Sequence, residues 1–514
     1  GLLTERDREW FQKEKQALSP GAKEKTYIQK FYLYMNLTKP EEFLHISYSK
    51  VSSDGKTLRP AYLIWDLKKL FPKLVITEEE ALRMTQRELT PGEGLEFVIR
   101  GVRDRYLGVD ESWKELYTWY RQNEGQKVDR ILDAGFFKKK PDALTGEEAA
   151  ELYGEKKQFS VTRMERFSAC AYAHFLTYGL HLSDRERYEF EAMDLGNIAH
   201  QSMERFARKA QEKRMPWPKL EEVQRDAMIE ESVEESIKDY GNTVLYSTAR
   251  NEYMIVRIKQ LIRRSVWALT RQMEKGDFEP SGYEMNFGSG KIDRVDTCED
   301  EDVVYVKVTD YKTGMKSFDI VALYHGLQMQ LPVYLNAALE LEERRASGKT
   351  VEPAGIFYYR IKDPIVDREK DDHALEEKIL KELRLDGMIN AKEEVIEHLE
   401  HQLSGTSVLN PIGKNKDGSL NRYSKVLPPE AFAAMLSYTK KKEAQVKRQI
   451  YAGEVQANPY ELNGSTGCDY CAYRDICGFD PRLDGYAYRS LEKYSKEEVI
   501  RRMEEEIENR EEPS

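Results

Sequence analysis

The sequence predicts an α/β fold with strands enclosed by helices, and three observations carry that prediction. Strand-like runs cluster at 282–287, 290–296 and 303–311, and a fourth, Gly355-Ile-Phe-Tyr-Tyr-Arg-Ile361, follows. Helical patterns dominate 161–278, notably 195–212 and 245–274, and return at Ile320–Arg345 and 428–450. Strands bracketed by helices in this order point to an α/β core and away from a sandwich or a bundle.

Residues 1–150 read as a unit ahead of that core. Glu5–Lys15 is helix-like, Glu42–Tyr48 alternates as a half-buried strand does, and Gly55 and Pro60 punctuate a turn. Lys138-Lys-Lys-Pro141 and Thr145-Gly-Glu147 mark a boundary near 140–158. After the core come a cysteine-rich segment and a charged, helix-prone tail of about twenty residues. A chain of 514 residues is expected to hold roughly two to four domains. Hydrophobic residues at 40% and aromatics at 11% describe a globular protein, not a disordered one. No apolar run approaches the length of a membrane span, and the polar start has no secretory pattern. The first residue is Gly, not Met, and a longer polypeptide is expected.

The chemistry concentrates in two strings, Gly290-Lys-Ile-Asp293-Arg294-Val-Asp296 and Thr309-Asp310-Tyr311-Lys312-Thr-Gly314. Asp310 and Lys312 are two apart on a strand, so both side chains leave one face. Tyr311 points the other way, with its carbonyl available as a metal ligand. The acidic stretch Thr297–Asp302 reads as a turn that pairs the two strands and brings Asp293 beside Asp310. Two carboxylates suit a hard divalent ion, Mg²⁺ or Mn²⁺, and an adjacent lysine can orient an attacking water. That is the equipment for metal-assisted phosphodiester hydrolysis. Upstream, Gly196-Asn-Ile-Ala-His200 opens a helix and offers His200 to the metal or a phosphate. Downstream, Gln330 and Tyr334 share a helix face four residues apart. The ordinary alternatives are a capping glycine, a half-buried histidine and an amphipathic face.

A net charge of −11 argues against nucleic acid as a partner only in the mean, because binding depends on local patches. One such patch reads Lys414, Lys416, Arg422, Tyr423 and Lys425, then Lys440, Lys441 and Lys442 after Tyr438. It fits a phosphate-contacting loop and a solvated surface equally. Of the five cysteines, Cys468, Cys471 and Cys477 have the C-x2-C-x5-C spacing of a metal–thiolate site. Cys170 can supply the fourth ligand, and Cys298, in the acidic turn, stands apart. Spacing alone leaves zinc and an iron–sulfur cluster both open. Disulfides are the alternative, not expected in a chain without a leader.

GxxxH at Gly196–His200, GxxDRxD at Gly290–Asp296, DYKxG at Asp310–Gly314 and QxxxY at Gln330–Tyr334, in this order, resemble the RecB-type nuclease family of the PD-(D/E)xK fold. The match covers residues 160–480. The resemblance implies a central mixed sheet flanked by helices, with His200, Asp293 and Asp310 as metal ligands and Lys312 catalytic. Gln330 and Tyr334 position substrate, and Arg294 and Asp296 support the site. Some members hold a [4Fe–4S] cluster on one upstream cysteine and a downstream trio, a pattern that Cys170, Cys468, Cys471 and Cys477 resemble. Tyr34-Met-Asn-Leu-Thr38-Lys39-Pro40 resembles a degenerate late motif of superfamily 1 helicases, with Lys39-Pro40 where an ATP-sensing arginine belongs. No GxxxxGK[ST] loop occurs, so ATP binding is not supported by this chain.

The expected organisation is a helicase-like remnant at 1–155, a RecB-like nuclease domain with its cluster at 156–490, and a helical tail at 491–514. The family further implies a cytoplasmic, nucleoid-associated DNA exonuclease subunit that resects double-strand breaks for recombinational repair, cutting the 5′-ended strand. Its substrate is single-stranded DNA from a duplex end. Its partner, in a heterodimer, is a second subunit with a motor and another nuclease. The alternative is a non-catalytic DNA-end-binding scaffold with a decayed nuclease fold, or a zinc-stapled nuclease of recombination or RNA processing.

Overall fold

The computed structural model describes residues 4–14, 16, 18–52, 55–78, 90–104, 112–136, 143–154, 159–183, 185, 190–240, 243–288, 290–346, 348–369, 371–483 and 485–508. The Lys138–Pro141 boundary signal lies outside them. The chain forms two compact units, Gly1–Ile131 and Leu132–Ser514. The division falls ahead of the one expected at residue 155. The Gly146–Tyr153 helix packs within the second unit, with Ala149 and Tyr153 in its core.

The first unit is helical where described. Glu5–Lys13 starts on a capping box, Thr4 and Asp7 satisfying each other's backbone N–H. Ala22–Leu37 stops at Thr38, whose hydroxyl donates to the Tyr34 carbonyl, before Pro40 forbids another turn. The strand expected at 42–48 is not formed: among the described residues nothing pairs with it, and Phe43 is 88% exposed. Alternation makes a strand only where a second backbone satisfies its N–H and C=O groups.

The second unit is built on a six-stranded mixed sheet in the order β1–β6: β1 (Glu279–Phe287), β2 (Gly290–Glu299), β3 (Val303–Lys312), β4 (Thr350–Arg360), β5 (Asp386–Asn390) and β6 (Val426–Leu427). The first three form an antiparallel meander, and β4 lies parallel to β3. A parallel neighbour needs a crossover, here the helices Ile320–Tyr324 and Gln330–Glu343. The sequence predicts one helix over Ile320–Arg345. The structure breaks it at Gly326, whose φ of +78° suits a residue without a Cβ.

Both faces of the sheet are covered. Tyr305, Tyr311, Phe357 and Tyr359 join one core with Ile198, Phe206, Ile262 and Val266 from the helices Ala192–Glu212 and Ala249–Met273. Val306, Val308, Ile356 and Tyr358 join another with Met164, Leu335, Phe432 and Met503 from helices on the opposite side. Strands buried on both faces read as near-continuous apolar runs, as β3 and β4 do.

A charged group is buried in this packing. Arg294 Nε donates to Asp296 Oδ1 at 2.7 Å, Lys307 Nζ stands 3.8 Å from Asp296 Oδ2, and the three side chains are 3%, 1% and 10% exposed. Arg294 lies over the Trp217 ring and Lys307 over Phe278. Burial pulls the Lys307 pKa down to about 8, with Asp296 holding it up. Asp296→Ala strands two cations without their anion and is expected to cost about 3–5 kcal/mol of stability. Chemical denaturation measures it.

Candidate active site

Asp293 and Asp310 meet because β2 and β3 pair with Arg294 opposite Thr309, which brings their carboxylates to one level. The Tyr311 N–H donates to Asp293 Oδ2 at 2.8 Å and fixes that carboxylate at the end of the ladder. Asp310 is 1% exposed. Its Oδ1 accepts from Gln330 Nε2 at 3.0 Å. Its Oδ2 forms an ion pair with Lys312 Nζ at 2.5 Å, at angles that leave this buried oxygen without a hydrogen bond.

Helices bring the remaining groups from either side of the sheet. His200 rides on Ala192–Glu212, its Nδ1 3.3 Å from Asp293 Oδ2 and its ring edge-on to Tyr311. Gly196 lies one turn earlier, where a Cβ would stand 3.2 Å from the Thr313 hydroxyl, so its missing side chain lets the helix approach the loop after β3. Gln330 is the first residue of Gln330–Glu343 and donates to the Tyr334 hydroxyl at 2.9 Å as well as to Asp310. The amide so joins the phenol to the acid. The Tyr311 ring is buried on the opposite face from Asp310, against Tyr359.

Two residues of the constellation escape sequence reading. Glu284 on β1 stands across from Asp293, and one donor atom from each of His200, Glu284 and Asp293 lies within 4.8 Å of the others. Three acids therefore line up across three adjacent strands. Glu284 has φ +46°, a conformation that non-glycine residues seldom adopt and that tends to occur at functional sites. The only available signal was an acid in the middle of a strand-like run. The second is Glu165, whose Oε1 accepts from the N–H groups of Met329 and Gln330 at 2.7 and 3.0 Å. It caps the helix that presents Gln330, from 165 residues away in sequence.

Crowding of anions sets the electrostatics. Burial raises the Asp310 pKa to about 7, Asp293 adding to the rise and Lys312 and His200 opposing it. Burial likewise lifts Glu284 to about 6, with Asp293 and Glu204 contributing. Burial works against the His200 cation, yet Asp293 and Asp310 more than offset it and its pKa is raised. An oxygen-rich donor set, short of cations and holding a buried carboxylate oxygen without a hydrogen bond, fits a hard divalent ion.

A helix-flanked mixed sheet with an acid on one strand and D-x-K on the next is the pattern that comparison with known proteins decides. A model of the PD-(D/E)XK nuclease superfamily matches residues 158–478. The chain belongs to that superfamily. It is similar to proteins named as the AddB-type component of an ATP-dependent helicase/deoxyribonuclease. The relative from Lachnoclostridium phytofermentans is 37% identical over 97% of this chain and 45% of its own length. That from Alkaliphilus oremlandii is 32% identical over 99% of this chain and 47% of its own. The chain thus spans a little less than half the length of the curated relatives it matches. No helix among the described residues is long and apolar enough to cross a membrane.

This PD-(D/E)XK chain also gathers its four outlying cysteines. Cys170, Cys468, Cys471 and Cys477 line one small cavity with Leu176, Pro459, Tyr473 and Phe479, and none is in a disulfide. Cys170 sits at an extended break between the helices Val161–Ala169 and Ala171–His174. Asn458 Oδ1 accepts from the Ala171 N–H at 2.9 Å, tying that break to the cysteine-bearing segment. A Cβ on Gly467 would meet the Ala169 carbonyl at 2.9 Å, so glycine is what lets the two segments close. The sulfurs are met by donors suited to thiolates. The Phe479 N–H points at Cys477 Sγ at 3.4 Å, and although burial raises the Cys170 pKa, backbone N–H groups of Ala173, Asn458 and Tyr172 pull against it. Cys298 is buried elsewhere, at the far end of β2.

The basic patch divides. Lys440 pairs with Glu340, Lys441 with the Glu506 carbonyl and Lys425 with Asp386, so these serve packing. Lys416, Arg422 and Tyr423 remain exposed on the loop.

Proposed function

We propose that this chain is the nuclease-bearing part of a helicase–nuclease subunit. It is a Mg²⁺-dependent exonuclease that cuts the 5′-ended strand, as single-stranded DNA, during resection of double-strand breaks. The convergence of Asp293, Asp310 and Lys312 with His200 and Gln330 carries the reading. His200, Asp293, Asp310 and the Tyr311 carbonyl would hold the Mg²⁺ (or Mn²⁺), and Glu284 is placed to join them. When bound, the ion supplies Lewis-acid activation of water and neutralises charge gathering on the phosphate. Lys312 is the protein's own cation beside that phosphate, stabilising its charge and orienting the attacking water. Gln330 and Tyr334 hold Asp310 in register and present polar groups to the substrate.

By the same reading, Cys170, Cys468, Cys471 and Cys477 hold a [4Fe–4S] cluster that staples the two ends of the nuclease region. The spread of the thiols supports a cluster over one zinc ion. Ligands about 2.3 Å from a tetrahedral zinc crowd to roughly 3.8 Å from one another. The cysteine quartet is not among the described groups of three or more ligands whose donor atoms lie within 4.8 Å. The first unit is read as a helicase-like remnant without ATP chemistry of its own. The partner is an AddA-like subunit supplying the motor, in a heterodimer, and the complex works in the cytoplasm at the nucleoid. The names of the relatives support this assignment.

Digestion of duplexes labelled separately at each 5′ and 3′ end, with and without Mg²⁺ and with the partner subunit present, tests the function. Loss of the 5′-ended strand only when Mg²⁺ is present is expected, and cleavage that persists in chelator overturns the reading. Because Asp310 titrates near 7, protons compete with the ion. Mg²⁺ affinity by calorimetry is expected to weaken roughly tenfold per pH unit below that value. Affinity unchanged between pH 8 and pH 6 overturns the Mg²⁺ assignment.

A further inference from the structure

A second convergence of ligand-type side chains stands at the other end of β2 from the acidic pocket. Asp277 follows the Ala249–Met273 helix, Cys298 and Asp300 end β2, and His398 and His401 come from the C-terminus of the Glu393–Leu399 helix. Cys298 is five residues along the strand from Asp293, roughly 16 Å at the usual rise, so the two sites do not share ligands.

The three segments are locked together through their backbones. The Asp277 N–H donates to the His398 carbonyl at 2.9 Å, and the His401 N–H donates to the Lys275 carbonyl at 2.7 Å. A Cβ on Gly276 would stand 2.4 Å from the His398 carbonyl, so the approach requires glycine there. On this frame Asp277 Oδ2 lies 2.8 Å from His398 Nδ1 and 2.7 Å from His401 Nε2. Donor atoms of Asp277, Cys298 and His398 all lie within 4.8 Å of one another. Ligands on a tetrahedral ion at bond lengths of about 2.0–2.3 Å sit roughly 3.3–3.8 Å apart, within the range spanned here.

His398 also has the partner that a ligating histidine needs. Its Nε2 stands 3.5 Å from Asp300 Oδ2. A carboxylate on that nitrogen fixes the proton there and leaves the Nδ1 lone pair facing Asp277 and Cys298. Cys298 is only 4% exposed. Its thiol is surrounded by anionic charge: burial, then Asp277 and Asp300, raise its pKa to about 11, with Lys307 opposing. Nitrogen, thiol and carboxylate donors together suit zinc and its neighbours, not magnesium.

We propose that Asp277, Cys298, His398 and His401 form a binding site for a divalent transition-metal ion of the zinc class, with Asp300 positioning His398. The ion clamps the β2–β3 turn to the two helix ends that flank it. It is distinct from the acidic pocket and from the cysteine quartet.

The test uses the full chain, purified anaerobically, incubated with Zn²⁺ and freed of loose metal by gel filtration. Zinc and iron are then counted together in wild type, Cys298→Ser, His398→Ala and His401→Ala. Wild type is expected to retain one more zinc equivalent than Cys298→Ser and His398→Ala at equal iron content. In a Co²⁺ titration, a thiolate-to-cobalt absorption present in wild type should be missing from Cys298→Ser. Equal zinc in all four proteins, or a cobalt spectrum unchanged by Cys298→Ser, overturns the proposal. Should His398→Ala fail to fold, Cys298→Ser and the more exposed His401→Ala decide it, His401→Ala being expected to weaken zinc retention.

Discussion

Asp310→Asn is expected to lose DNA cleavage by on the order of 10³-fold or more while making the metal-free protein more heat-stable at pH 8. Asparagine keeps the shape and can still accept from Gln330 Nε2, so the packing that surrounds Asp310 survives. What disappears is a charge that the fold tolerates poorly. The pKa of Asp310 is about 7 in the folded protein against 3.8 for the ordinary group, so the folded state holds its proton over that interval more strongly. The sign follows: this contribution to stability is complete below pH 4 and is lost as pH rises through 7. The variant therefore gains little at pH 4 and most at pH 8. Wild type should recover the difference on adding Mg²⁺, and the variant should not. Retained cleavage, or a melting temperature that falls equally at both pH values, would falsify the metal role of Asp310.

Cys468→Ala is expected to strip the protein of iron and to lower its melting temperature under anaerobic conditions. One open ligand position exposes a four-cysteine cluster to loss, and the cross-link between two distant segments goes with it. Closing a loop of about 300 residues restricts the unfolded chain by on the order of 5 kcal/mol in the chain-entropy picture. The native side offers less compensation, because Cys170, Ala173, Leu176 and Tyr473 form only a small apolar cluster. An absorption spectrum, an iron count and a melting curve on the same sample check the prediction. A colourless wild type with stoichiometric zinc defeats the cluster. Unchanged melting in the variant defeats the staple.

The parts of the site that were legible were those that local geometry dictates. Strand alternation alone puts Asp310 and Lys312 on one face and the Tyr311 ring on the other, and helix spacing alone aligns Gln330 with Tyr334. What stayed hidden depends on pairing between distant segments. The register that sets Glu284 opposite Asp293 follows from the β1–β2 ladder, which no single strand encodes. Glu165 reaches Gln330 only through the packing of two helices. In the fold, β5 was missed because Asp386-Gly387-Met388-Ile389-Asn390 is short and its glycine reads as a turn. A Cβ on Gly387 would lie 1.9 Å from the Ile356 carbonyl, so the glycine marks close contact with β4. The helix break at Gly326 was equally hidden. It matters because it makes Gln330 a helix start, where a carboxylate can hold the backbone that carries it.

The Val161–Ala169 helix touches both centres. Cys170 ends it, and Glu165, little more than a turn earlier, grips the N–H groups of Met329 and Gln330. A rigid rod anchored at one end transmits its footing to the other. Slackness at the sulfur end is therefore felt as misalignment of the amide that steadies Asp310. Oxidative damage to the thiols would silence cutting without touching an acid, and the enzyme would fail safe.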